Sequence, residues 1–208
     1  MRRIIGLFSL SILTACSQQP ADGGPGQASN DSGLDNRATT PSAWQSLFAG
    51  SSLAAFRLNG DANWVFDADT VGADSGNGML VTNQTFADFE LQLEFWVDEP
   101  ANSGVFIRCP DPSSITDTTC YEANIFDTRP DQTYRTGAIV NVASPAVQID
   151  AADRWNSYGI RAQGQRLQIV LNGETVVDVE DGQFAAGHIG LQYGMGVVKF
   201  RNVRIRTL

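Results

Sequence analysis

Residues 89–97 read FELQLEFWV. In an extended chain successive side chains point to opposite faces. Phe89, Leu91, Leu93, Phe95 and Val97 therefore share one side, and Glu90, Gln92, Glu94 and Trp96 the other. Alternation this clean predicts an antiparallel strand with one face in a core and one toward water. The runs on either side extend the pattern. GVFIR (104–108) follows the turn EPANSG, and YEANIFD (121–127) comes next. RLQIVLNGETVVDVED (166–181) holds Asn172-Gly173 between two strand-like runs, a strong hairpin signal. HIGLQYG (188–194) and VKFRNVRIRT (198–207) close the series. Only PSAWQSLF (41–48) is compatible with a short helix. Many short antiparallel strands over this length predict an all-β fold, a jelly-roll sandwich of two antiparallel sheets.

Composition narrows the class. The chain has 208 residues, 42% of them hydrophobic, and a net charge of −9. A hydrophobic fraction of that size supports a core, and an acidic surface disfavours a nucleic-acid partner. The N-terminus reads as a targeting signal. Arg2 and Arg3 precede IIGLFSLSIL (4–13), an apolar run too short to span a bilayer. It ends in LTAC (13–16), which resembles a bacterial lipobox, so cleavage after Ala15 and lipidation of Cys16 are expected. Residues 17–42 are rich in Gly, Pro, Ser, Asn and Asp and predict a disordered tether. The expected organisation is a signal peptide (1–15), a lipidated cysteine with its tether (16–42) and a globular domain (43–208). Ser17 after the cysteine resembles the outer-membrane sorting pattern, so the domain is expected in the cell envelope, anchored to the outer membrane and facing the periplasm. That oxidising compartment favours a Cys109–Cys120 disulfide over two free thiols.

Further motifs fall in a fixed order. WQSLFAGSSLAAFR (44–57), GMLVTNQTFADFELQLEF (78–95), NSGVFIR (102–108), YEANIFD (121–127) and TGAI (136–139) come first. RWNSYGI (154–160), LNG (171–173), IGLQ (189–192) and FRNVRI (200–205) follow. Together they resemble the 3-keto-disaccharide hydrolase domain family over about residues 44–208. The resemblance implies a concanavalin A-like sandwich whose concave sheet receives sugar, and cleavage of glycosides oxidised at C3. The chain departs from the family pattern at Phe56, usually Trp; at Gly194, usually His; and at Val140-Asn141, usually Tyr-Gly. PDPSSITDTT (110–119), flanked by the two cysteines, reads as an insert at the site rim.

Strand parity nominates the site. If Val105, Ile107, Ala123 and Ile125 face the core, then Arg108, Glu122 and Asn124 project from the other face. The same rule sends Glu94, Trp96 and Gln192 outward. Carboxylate, amide and aromatic groups on one face suit sugar hydroxyls and ring faces. The alternative is a solvated face with an Arg108–Glu122 bridge worth a few tenths of a kcal/mol. With the resemblance, Glu122 is the expected base, Arg108 the enolate stabiliser and Asp127 or Glu94 the second carboxylate. Glu94, Trp96, Asn102, Asn124 and Gln192 are expected to bind substrate. His188, the sole histidine, rules out a catalytic triad or multi-histidine zinc site, and an exposed position is expected for it. DADTVGADSGNG (67–78) lacks oxygen ligands at two positions of a calcium loop, with Val71 and Gly78 there. No cofactor is expected, with a structural calcium elsewhere left open. Two functions follow: a hydrolase of 3-keto-glycosides, or a non-catalytic carbohydrate-binding lipoprotein on the same fold.

Overall fold

The computed structural model of the protein describes residues 41–48 and 52–208. The lipobox, Cys16 and nearly all of the tether lie outside the described residues. Within them the chain forms two antiparallel sheets. The larger contains β1 (Gln45–Ser46), β3 (Val65–Asp67), β4 (Thr70–Ala73), β6 (Phe89–Val97), β9 (Trp155–Gln163), β10 (Arg166–Leu171), β11 (Glu174–Glu180) and β13 (Val198–Thr207). The smaller contains β2 (Phe56–Gly60), β5 (Gly78–Thr82), β7 (Ser103–Cys109), β8 (Tyr121–Ile125) and β12 (His188–Tyr193). Their orders are β11-β10-β9-β6-β13-β4-β3, with β1 also on β13, and β2-β5-β12-β7-β8.

The core lies between the two sheets. FELQLEFWV is β6, and its five apolar residues are buried while the four between them are half-buried, as the alternation predicts. From the facing sheet, Leu80, Val105, Ile107, Ala123, Ile125, Ile189 and Leu191 join the same cluster. The β10–β11 hairpin turns through Asn172 (φ 52°) and Gly173 (φ 85°), the left-handed pair that a tight two-residue turn needs. The helix allowed at 41–48 does not form. Gln45–Ser46 instead pair with Ile205 and Arg204 as β1, and Leu47 and Phe48 enter the core. An apolar pair anchored in the sandwich outweighs the weak helical preference of so short a run.

Two bulges reset strand parity. In β13 the register with β6 shifts between Arg201 and Arg204, and Asn202 has φ 54°. In β7 the register with β12 steps from Gly190↔Phe106 to His188↔Cys109, so β7 holds one extra residue there. Arg108 sits at that step with φ 54°. An added residue turns every later side chain to the opposite face.

Candidate functional site on the five-stranded sheet

The outward face of the smaller sheet carries a row of amides beside a buried carboxyl. Gly104 pairs with Asn124 and Phe106 with Glu122, while Phe106 also pairs with Gly190 across β12. Gln192 lies opposite Met79 on β5. Asn102 precedes β7 and bridges to Met195.

The insert roofs one end of this face. A Cys109–Cys120 disulfide closes it, with Cα atoms 4.7 Å apart. Asn59 Nδ2 donates to Pro112 O at 2.9 Å on one side, and Asn141 Nδ2 to Asp117 O at 3.3 Å on the other. Phe106 and the two cysteines form a small separate cluster under Ile115 and Met79. This apolar lid removes water from the ground beside Glu122.

Glu122 is the centre of the site. Only 6% of it is exposed, and its carboxyl makes no hydrogen bond among the described residues. It leans over Gly104: a Cβ there would lie 2.9 Å from Glu122 Oε1 and 3.1 Å from its Cγ. Glycine thus supplies the space that the carboxyl occupies. Burial pushes the Glu122 pKa from 4.5 up to about 7; the charge of Arg129 opposes that shift, and Asp117 of the insert adds to it. Arg129, half-buried in the turn after β8, forms no ion pair among the described residues. Parity reasoning found neither Gly104 nor Arg129. One acts by lacking a side chain, and the other lies in a turn where period two does not apply.

The neighbouring amides are under-used. Asn124 Nδ2 donates to Tyr134 O, but Asn124 Oδ1 has no partner, nor does Gln192 Oε1, and both oxygens are buried. The Asn102 side chain makes no hydrogen bond among the described residues. Gly194 lies against it, since a Cβ on Gly194 would come 3.3 Å from Asn102 Nδ2. Buried polar atoms without partners are uncommon in folded proteins, so a row of them beside a carboxyl suits a ligand rich in hydroxyls.

Four expectations need correction. Arg108 does not share the face of Glu122, because the bulge turns it to the other side. It is 1% exposed; its Nε donates to Ala87 O, Nη1 to Gly164 O and Phe184 O, and Nη2 meets Asp88 Oδ1 at 3.1 Å. It ties four segments together, and no Arg108–Glu122 bridge forms. Asp127 is engaged too: Oδ2 accepts from the Ala151 and Ala152 amides at 2.6 and 3.0 Å, which pins the loop before β9. Glu94 and Trp96 lie on the larger sheet, whose outward face points away from Glu122. There Glu94 pairs with Arg201 and Asn202, and Trp96 lies under Lys199. Finally, His188 is buried rather than exposed, with Nδ1 at 2.8 Å from Thr82 O. No group of three or more His, Cys, Asp or Glu able to hold a metal occurs among the described residues.

Comparison with known proteins agrees with this architecture. No curated protein matches the chain. A crystal structure of a provisionally named glycosyl hydrolase from Parabacteroides distasonis superposes with a TM-score of 0.71 at 18% identity, over 79% of this chain and 94% of that one. A second such structure from the same organism gives 0.69 at 25% identity, over 80% and 100%. The carbohydrate binding module CBM66 from Bacillus subtilis gives 0.56 at 19% identity, over 70% and 92%. The sandwich is therefore of the concanavalin- and galectin-like kind. Residues 43–206 match the 3-keto-alpha-glucoside-1,2-lyase-like domain, and the chain belongs to that family.

Proposed function

We propose that the protein cleaves glycosides oxidised at C3, with Glu122 as the base. The observation that carries this reading is the Glu122 carboxyl, buried without a hydrogen bond and with a pKa of about 7. A general base works best when its pKa lies near the working pH.

The chemistry is an elimination followed by hydration. The C3 ketone acidifies the C2 hydrogen. Glu122 takes that proton, and the C2–H electron pair forms the C2=C3 bond of an enolate. The enolate collapses: C3=O re-forms, a C1=C2 double bond forms and the C1–O bond breaks. The leaving oxygen needs a proton, and Glu122, now neutral, can return one, since Asp127 is engaged elsewhere. Water then adds across C1=C2, hydroxyl to C1 and proton to C2. The half-buried Arg129 lends positive charge to this end of the sheet as the enolate develops. Asn102, Asn124 and Gln192 take the hydroxyls, and the roof of residues 110–119 excludes bulk water. Lipid on Cys16, supported by LTAC, holds the domain in the cell envelope facing the periplasm.

A second reading is a carbohydrate-binding protein on the same fold. Gly194 favours it, standing where the family motif carries a histidine, as does the engagement of Arg108 and Asp127 in structural contacts. Purified protein incubated with a 3-keto-disaccharide decides between the two. Release of the aglycone sugar supports catalysis, and saturable binding without release supports the second reading.

A further inference from the structure

The other outward face of the sandwich has features that Glu122 chemistry does not use. A groove of about 1070 Å³ runs across the eight-stranded sheet, over β10, β9, β6 and β13; Trp44, Arg204 and Arg206 line it, while Lys199, Arg201, Trp96 and Trp155 lie outside it on the same face. Along β13, Lys199, Arg201, Arg204 and Arg206 all point outward, because the bulge at Asn202 restores their common face. Each stacks on an indole. Lys199 Nζ lies 4.9 Å from the Trp96 ring, Arg201 3.9 Å from Trp155, and Arg204 and Arg206 5.0 and 4.8 Å from Trp44. Three of the four tryptophans of the chain thus line one strand.

We propose that this face is a second carbohydrate site, separate from Glu122, that holds a linear polysaccharide bearing carboxylates.

Three features point to that ligand. The first is charge. Arg206 and Arg161 share Glu90, and Arg201 pairs with Glu94, but Lys199 and Arg204 have no carboxylate partner among the described residues. Two unneutralised cations on one strand of a chain with net charge −9 favour an anionic ligand. The second is shape. The stretch from Lys199 to Arg206 is on the order of 20 Å long at the rise of a strand, which fits an extended chain better than a compact solute. The third is preorganisation. Arg204 donates to Gln92 Oε1 at 2.7 Å and Arg206 to Glu90 Oε2 at 2.6 Å, which holds the guanidinium planes before a ligand arrives.

The test is affinity electrophoresis of the purified domain in gels containing polygalacturonate, with neutral dextran as the control polymer. The wild type should be retarded by polygalacturonate and not by dextran, and retardation should weaken with salt. Trp44→Ala and Arg204→Gln should each weaken binding by roughly tenfold, the loss expected for one stacked ring or its cation. Thermal melts identify any variant that has lost its fold, and Lys199→Gln, a surface change, gives an independent reading. Glu122→Gln should bind the polymer like the wild type, so failure of the catalytic reading leaves this result intact. Absence of retardation, equal retardation by dextran, or retardation indifferent to all three substitutions would overturn the proposal. Binding to phosphatidylglycerol vesicles with none to polygalacturonate would replace it with a membrane-facing role.

Discussion

Replacing Glu122 by glutamine tests the structure through stability as well as activity. The Glu122 pKa rises from 4.5 to about 7 in the folded protein, chiefly through burial. Such a group leaves stability untouched below about pH 4.5, where the carboxyl is neutral in both states. As pH rises, the unfolded chain releases its proton first while the folded protein keeps it, so stability falls until pH passes about 7 and then levels off. At 1.36 kcal/mol per pKa unit, the ionised carboxyl costs about 3 kcal/mol of stability. Glu122→Gln removes that cost. The variant should match the wild type at pH 4 and exceed it by about 3 kcal/mol at pH 8.5, or roughly 6–12 °C in Tm for a domain this size. The assay is a pair of thermal melts across pH 4–9, plotted as a difference so that groups common to both proteins cancel. A difference that does not change with pH, or a wild type more stable at pH 8.5, would refute the buried-carboxyl argument.

Other substitutions follow from the same contacts. Arg108→Lys should lower stability by about 3 kcal/mol or more in denaturant melts, because one ammonium cannot serve three carbonyls and Asp88; a stable variant with reduced turnover would instead mean that Arg108 meets the substrate. Gly104→Ala places a Cβ 2.9 Å from Glu122 Oε1, so steady-state assays should show at least a tenfold loss of turnover with a change in Tm of only a few degrees; unaltered kinetics would mean that the carboxyl does not work from above Gly104. For the N-terminus, intact-mass analysis of membrane fractions should find a lipid-modified chain beginning at Cys16, and a water-soluble mature protein with a free Cys16 thiol would exclude the anchor.

Much of the fold was legible because period-two alternation is a direct image of burial. FELQLEFWV and the Asn172-Gly173 turn needed no tertiary information, since their side-chain order and backbone requirement are local. The site was only partly legible. Parity tells which side of its own strand a residue takes, but not which sheet the strand joins. Parity alone therefore gives Glu94 and Trp96 the same face as Glu122, although pairing with Arg201 and Lys199 places them on the other sheet. Parity also fails beyond a bulge: the single extra residue in β7 moves Arg108 from the face of Glu122 into a structural network. The burial of His188 depends on its contact with Thr82, 106 positions away in the chain. The roof over Glu122 depends on contacts from Pro112 to Asn59 and from Asp117 to Asn141, which no local pattern encodes.

The central claim is that Glu122 is a base held near neutrality, and the pH dependence of kcat/KM on a 3-keto-disaccharide tests it most directly. The wild type should gain tenfold per pH unit up to about pH 7 and then level off, as the free carboxyl ionises. Glu122→Gln should be slower by roughly a hundredfold or more and lack that limb, the loss expected on removing a general base. A variant with near-normal turnover, or a wild-type profile without an ionisation near pH 7, would contradict the account.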